Sequence, residues 1–175
     1  MPRLHSLELL PDPDGEAAVR RDWQALRDAG LPSMLDHAGA TNTPHVTVLA
    51  VPAIDAATEA RAVELLGPLL PLTVRVSGIA VFGAERLTIA RVVDVDDPVL
   101  RAVLDLRAAT TGHQHPGWLP HLTLARRLPR ADLQRAVQVV GAGDAVMALT
   151  SVRRWDPVAG TVTPLVTPRE PPAPG

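Results

Sequence analysis

Hydrophobic and polar positions alternate along this chain with two periods, and the switches between them lay out its elements. Leu4 to Leu10 sets Leu4, Ser6 and Glu8 against His5, Leu7 and Leu9, the two-residue period of a strand, before Pro11-Asp12-Pro13-Asp14-Gly15 interrupts it. Val19, Trp23 and Leu26 then recur at helical spacing, which predicts a helix from about Glu16 to Ala29 with Gly30 as its stop and Trp23 in the core. The polar loop from Asp36 to Thr43 leads to a second alternating stretch, Pro44 to Val51. Asp55 is suited to cap a helix running to Leu66, with Ala60, Val63 and Leu66 inward and Gly67-Pro68 ending it.

The second half reads in the same way. Leu72 to Phe82 and Arg86 to Val93 form a hairpin about Gly83. Asp97-Pro98 starts a helix whose apolar face is Val99, Val103 and Leu106. After a loop from Gly112 to Leu119 comes another alternating strand, Pro120 to Arg127, then a helix over Asp132 to Val140. Val146 to Arg154 and Gly160 to Thr167 read as a closing strand pair turned at Asp156-Pro157. This order predicts an α+β protein, one domain over residues 1–167 made of two similar lobes about a cleft, followed by a proline-rich, disordered tail over 168–175.

Two of the strands match each other. PHVTVLA at Pro44 to Ala50 and PHLTLAR at Pro120 to Arg126 share the order proline, histidine, aliphatic, threonine, aliphatic, 76 positions apart. Alternation puts His45 and Thr47 on one face of the first strand and His121 and Thr123 on one face of the second. A histidine two residues from a threonine is common by chance; two copies, each behind a proline, are much less so. Two imidazoles with a hydroxyl beside each are what in-line phosphoryl transfer needs when no metal takes part. Near neutrality one ring is neutral and takes a proton while the other, protonated, gives one.

Composition narrows this further. The chain has no cysteine and no lysine, which excludes thiolate nucleophiles, Cys-based zinc sites and Schiff-base chemistry. Its net charge of -2 argues against general coating of nucleic acid. Yet residues from 121 onward carry seven arginines against four acids, whereas residues 1–60 carry four against nine. A local site for a small phosphorylated group fits this better than a long duplex groove. The first residues lack the apolar run of a signal peptide, and no stretch approaches the roughly 18 apolar residues of a membrane span, so the cytoplasm is the expected location.

The paired His-x-Thr motifs resemble those of the 2H phosphoesterases, the superfamily that includes bacterial 2′-5′ RNA ligase-like proteins and RNA 2′,3′-cyclic phosphodiesterases. The resemblance runs from about Leu4 to Leu165. It implies a bilobal fold with pseudo-twofold symmetry, and a metal-independent phosphodiesterase acting on 2′,3′-cyclic phosphates or 2′-5′ linkages, reversible as ligation. It further implies no cofactor and, as partner, a small nucleotide or an RNA 3′ end bearing a cyclic phosphate. By the same resemblance His45 is the general acid toward the leaving ribose oxygen and His121 the general base toward water, with Thr47 and Thr123 donating to the non-bridging oxygens. The motif symmetry alone does not choose between the histidines. Neither a membrane nor an obligate protein partner is called for.

Other residues are read with two meanings open. Arg126 stands where the family commonly has arginine and is favoured as a phosphate contact, although strict alternation puts Arg127 on the histidine face unless a bulge intervenes. Trp118 either stacks on a base or plugs its loop against the lobe. Phe82 ends its strand in the core or at the cleft. Arg153 and Arg154 read as surface residues, and His5 and His37 as ordinary strand or loop histidines. His113, His115 and His121 would give zinc three imidazoles, but no carboxylate pattern supports them. A non-catalytic module binding a nucleotide or RNA end is the remaining alternative.

Overall fold

The computed structural model describes residues 3–37 and 39–168; the expected disordered tail lies, but for Pro168, outside them. Seven strands and four helices follow one another as β1 (His5–Pro11), α1 (Pro13–Asp28), β2 (Val46–Val51), α2 (Ala56–Leu66), β3 (Leu72–Phe82), β4 (Arg86–Asp94), α3 (Asp97–Ala108), β5 (His121–Pro129), α4 (Leu133–Val140), β6 (Asp144–Asp156) and β7 (Thr161–Val166), with short 3-10 turns between some of them. The α+β class and the order of elements agree with the sequence pattern.

The sheet is antiparallel throughout and runs β1-β2-β5-β4-β3-β6-β7, with β1 also paired to β6. That extra pairing closes six strands into a ring. The 13-residue β6 belongs to both halves: Asp144 to Leu149 pairs with β3, and Leu149 to Trp155 pairs with β1. Opposite β6, β2 meets β5 through the single pair Val46 and Leu122. The two halves thus share one strand on one side and touch lightly on the other, where the motifs lie.

Strand, helix, motif strand, helix occurs twice: β1-α1-β2-α2 and β4-α3-β5-α4. Helix packing follows the same twofold relation, since α1 packs on α4 and α2 on α3. Val46, Val48, Leu122 and Leu124 are fully buried, so the apolar face of each motif strand forms core and the His-Thr face looks the other way. Between β3 and β4 the chain turns at Gly83, whose φ of 94° suits only glycine and where a Cβ would lie 2.8 Å from the Arg86 carbonyl.

Two expectations need correction. The helix α1 begins at Pro13, not Glu16, because the Asp12 side chain accepts from the Gly15 amide at 2.9 Å and a proline is well placed in the first helical turn. The run read as a breaker is a cap. On α2 the inward residues are Ala62 and Leu66; Ala60 is exposed and Val63 is 40% exposed. The helix is rotated relative to the pattern because it meets α3 and the β6-β7 edge together. Among the described residues no helix is long and apolar enough to cross a membrane.

Candidate active site

The single β2-β5 pair fixes the geometry of the motifs. With Val46 opposite Leu122 in antiparallel register, one step outward sets His45 opposite Thr123 and Thr47 opposite His121. The pseudo-twofold axis therefore passes through this pair, and each imidazole has a threonine on its own strand and another across from it. All four side chains are partly exposed, while Val46 and Leu122 between them are fully buried.

Both rings are held alike. Nδ1 of His45 donates to the Thr43 carbonyl at 2.7 Å, and Nδ1 of His121 donates to the Leu119 carbonyl at 2.7 Å. A carbonyl only accepts, so the proton of a neutral ring sits on Nδ1 and Nε2 is left with its lone pair. In each case the anchor lies two residues upstream, in the segment that the proline before the histidine helps keep extended. Nε2 is then the working nitrogen of both.

The backbones beneath are fixed by two of the three tryptophans. Trp23 of α1 donates its indole N–H to the Thr123 carbonyl at 2.9 Å, and Trp118 donates to the Thr47 carbonyl at 2.8 Å. Trp118 is half-buried against the core, which gives it a role in tying its loop to β2. That loop is strapped from behind by Arg107, which donates to the carbonyls of Val48, His115 and Gly117. Burial lowers the Arg107 pKa from the ordinary guanidinium value. Nothing in the sequence pattern singled out Arg107, because its targets are backbone atoms.

Each motif strand also carries a bulge directly after its threonine. Register slips between Leu7 and Glu8 opposite β2, leaving Val48 and Leu49 both buried, and between Ile89 and Ala90 opposite β5, leaving Leu124 and Ala125 both buried. Two consecutive inward residues reset the alternation, so Arg126 returns to the face of His121. Arg127 follows with φ 59°, exposed, as the strand slips once more. The corresponding place in the first motif is Ala50, so only the His121 side carries this cation.

The electrostatics differ between the sides as well. Burial pushes the pKa of His121 below the usual imidazole value; its bond to the Leu119 carbonyl opposes this, and the charges of His45, Arg126 and His115 add to the lowering. Phe82 packs on the ring, centroids 5.0 Å apart and planes tilted by 46°, so the end of β3 does reach the site. On the other side, Nε2 of His45 lies 3.6 Å from Oε1 of Glu8. Glu8 in turn accepts from Ser6 Oγ at 2.6 Å and from Arg153 Nε at 2.7 Å.

This cluster corrects the reading of Arg153 as a surface residue: it is 7% exposed and Glu8 3%. The β1 alternation did place Ser6 and Glu8 opposite Leu7 and Leu9. Their face is buried because β1 is paired on both edges, by β2 and by β6. Arg154 is half-buried, bound to Glu59 and Asp156, each through one guanidinium nitrogen, so it too is less than free surface. His5 lies 3.8 Å from Asp156 and His37 is exposed. The triple-imidazole set is dispersed. Nε2 of His113 is engaged with Thr110 Oγ1 and the Arg107 carbonyl, His115 is exposed, and no group of three or more metal-ligating residues gathers among the described residues.

The chain and its fold are similar to known proteins. The model of the 2′-5′ RNA ligase superfamily matches residues 13–166. No curated protein matches the chain. Among solved structures, the fold is similar to TT0787 of Thermus thermophilus, with TM-score 0.56 and 15% identity over 94% of this chain and 96% of that one. It is also similar to Usb1 of Kluyveromyces marxianus, with TM-score 0.54 and 14% identity over 94% and 98%. LigT of E. coli, solved in complex with 3′-AMP, aligns with TM-score 0.52 and 16% identity over 97% of both chains.

Proposed function

Since this chain belongs to the 2′-5′ RNA ligase superfamily, within the 2H phosphoesterases, we propose that it is a metal-independent phosphodiesterase that opens 2′,3′-cyclic phosphates or cleaves 2′-5′ linkages in RNA ends or small nucleotides. The observation that carries this reading is the matched pair of imidazoles, each with Nδ1 pinned to a carbonyl and Nε2 not engaged in a hydrogen bond, set diagonally among two threonines. The same groups serve 2′-5′ ligation in the reverse direction. A nucleotide substrate is in keeping with the 3′-AMP bound by the similarly folded LigT.

In the hydrolytic direction Nε2 of His121 takes a proton from water as the water oxygen bonds to phosphorus. The bond from phosphorus to a ribose oxygen breaks, and that oxygen receives the proton from Nε2 of His45. His121 ends protonated and His45 neutral, and exchange with solvent restores both. Thr47 and Thr123 donate to the non-bridging oxygens, where negative charge is held through the transition state. The lowered pKa of His121 suits a base, because the ring stays neutral to a more acidic pH than free imidazole near 6.5.

Two assays test this. The wild type should hydrolyse 2′,3′-cyclic nucleotides, or an oligonucleotide ending in a cyclic phosphate, in the presence of EDTA. Loss of turnover in chelator, or ligand-induced stabilisation without turnover, would sink it. Arg126→Ala should lower kcat/KM by about 10- to 100-fold through a lost charge-assisted contact to phosphate, whereas Arg127→Ala should change it less than threefold. Equal effects of the two would remove Arg126 from the phosphate site. Trp118→Phe, in the same assay, tells a base contact from a loop anchor, since phenylalanine can stack but cannot donate to the Thr47 carbonyl.

A further inference from the structure

Ser6, Glu8 and Arg153 form a charged cluster inside the sheet beside His45 that the paired-imidazole scheme does not itself require. Burying a carboxylate and a guanidinium is costly unless good geometry and further hydrogen bonds compensate. Here they do: each Glu8 oxygen accepts one strong bond, and Arg153 Nη2 also donates to the Thr41 carbonyl at 3.0 Å. Packing alone does not call for this arrangement. Glu8 pairs with Thr47 as Ala90 pairs with Thr123, so the twofold-related place in the second half is filled by a buried alanine.

We propose that Glu8 is a positioning residue for the reaction, its fixed carboxylate stabilising the proton-bearing ring of His45 and so assigning His45 as the acid and His121 as the base. The proposal rests on the phosphodiesterase reading above. At 3.6 Å Oε1 is within ion-pair distance of Nε2 but beyond hydrogen-bond distance, so the Nε2 proton is not committed to Glu8. The charged groups around His45 are Glu8 from β1, Arg153 behind it from β6, and His121 from β5. The last disfavours a second positive charge. Arg153 sits on Oε2, the oxygen farther from the ring contact, and Glu8 is the one anion within ion-pair distance of His45 among the described residues. His121 has no such partner among those residues and faces Phe82 instead.

The test is the pH dependence of kcat/KM for a 2′,3′-cyclic nucleotide in wild type and Glu8→Gln. Glutamine retains an oxygen for Arg153 and an amide that the Ser6 hydroxyl can accept from, so the cluster keeps its hydrogen bonds while losing its charge. The alkaline limb, which reports loss of the acid's proton, should move down by about one pH unit, and the acidic limb should stay in place. An unmoved alkaline limb, or both limbs moving together as a general loosening would cause, overturns the proposal. Where turnover cannot be read, ring-nitrogen NMR of the wild type and Glu8→Gln, or Glu8→Asp should the glutamine variant fold poorly, decides the point. Removing or withdrawing the carboxylate should lower the pH at which His45 loses its Nε2 proton and leave His121 in place, and an unmoved His45 overturns the proposal. The expected shift without turnover would reject the phosphodiesterase reading while supporting the Glu8 pairing.

Discussion

Replacing either motif histidine by asparagine should lower kcat/KM for a cyclic phosphate by about 100- to 10,000-fold, the usual contribution of one positioned acid or base. Asparagine is the informative choice, because its amide can still donate to the Thr43 or Leu119 carbonyl that now accepts from Nδ1. The anchor is kept while the proton-transferring nitrogen is removed. The two transfers belong to one displacement, so the double variant should be little worse than the more damaged single one. The two singles should differ with a substrate that has a weakly basic leaving group, such as a p-nitrophenyl phosphodiester. Such a group departs without being protonated, so His45→Asn should recover much of its rate and His121→Asn should not. Recovery by His121→Asn alone would exchange the roles, and more than a few per cent of wild-type turnover by either single variant on the cyclic phosphate would end the paired-imidazole scheme.

The residues of that scheme were legible because a strand's period is two and proline, histidine and threonine stand at fixed offsets in both copies. Their register across the cleft was not, since the β2-β5 contact is one residue pair long and no local pattern encodes it. Arg126 shows the same limit in another form. Strict alternation favoured Arg127, and what reverses it is the bulge at Leu124 and Ala125, marked in the sequence only by two successive apolar residues where one was due. The same doubling at Val48 and Leu49 marks the bulge in the first motif. Glu8 was placed beside Ser6 by alternation and Arg153 was read as a surface residue, since alternation tells which side chains share a face, not whether that face is covered. They lie side by side through the pairing of β1 with β6, between residues 145 positions apart. Val63 failed for a related reason: a helix that packs on two neighbours turns its buried stripe toward both, and the apolar pattern alone does not give that angle.

Arg153→Met should be more destabilising than any of the site substitutions above, at about 3–5 kcal/mol, because it leaves the Glu8 carboxylate buried without its cation. For a domain of this size that corresponds to a drop in Tm of roughly 6–20 °C. Arg75→Met provides the contrast, since the Arg75–Asp144 pair, though bidentate, has side chains 57% and 61% exposed, and its loss should leave the Tm almost unchanged. The double variant Glu8→Leu, Arg153→Met should recover to within about 1–2 kcal/mol of wild type, because an apolar pair of similar volume removes the stranded charge. A single variant that melts with Arg75→Met would show the buried pair to be dispensable for the fold. The double variant also separates support from chemistry. Arg153 Nη2 holds the Thr41 carbonyl, two residues before the Thr43 carbonyl that anchors His45, so loss of the cluster reaches the catalytic ring by two routes, through backbone placement and through charge. A double variant that is as stable as wild type yet turns over with its alkaline limb moved down would place the Glu8 charge in the chemistry, whereas restored stability with an unchanged pH profile would assign the cluster to the fold alone.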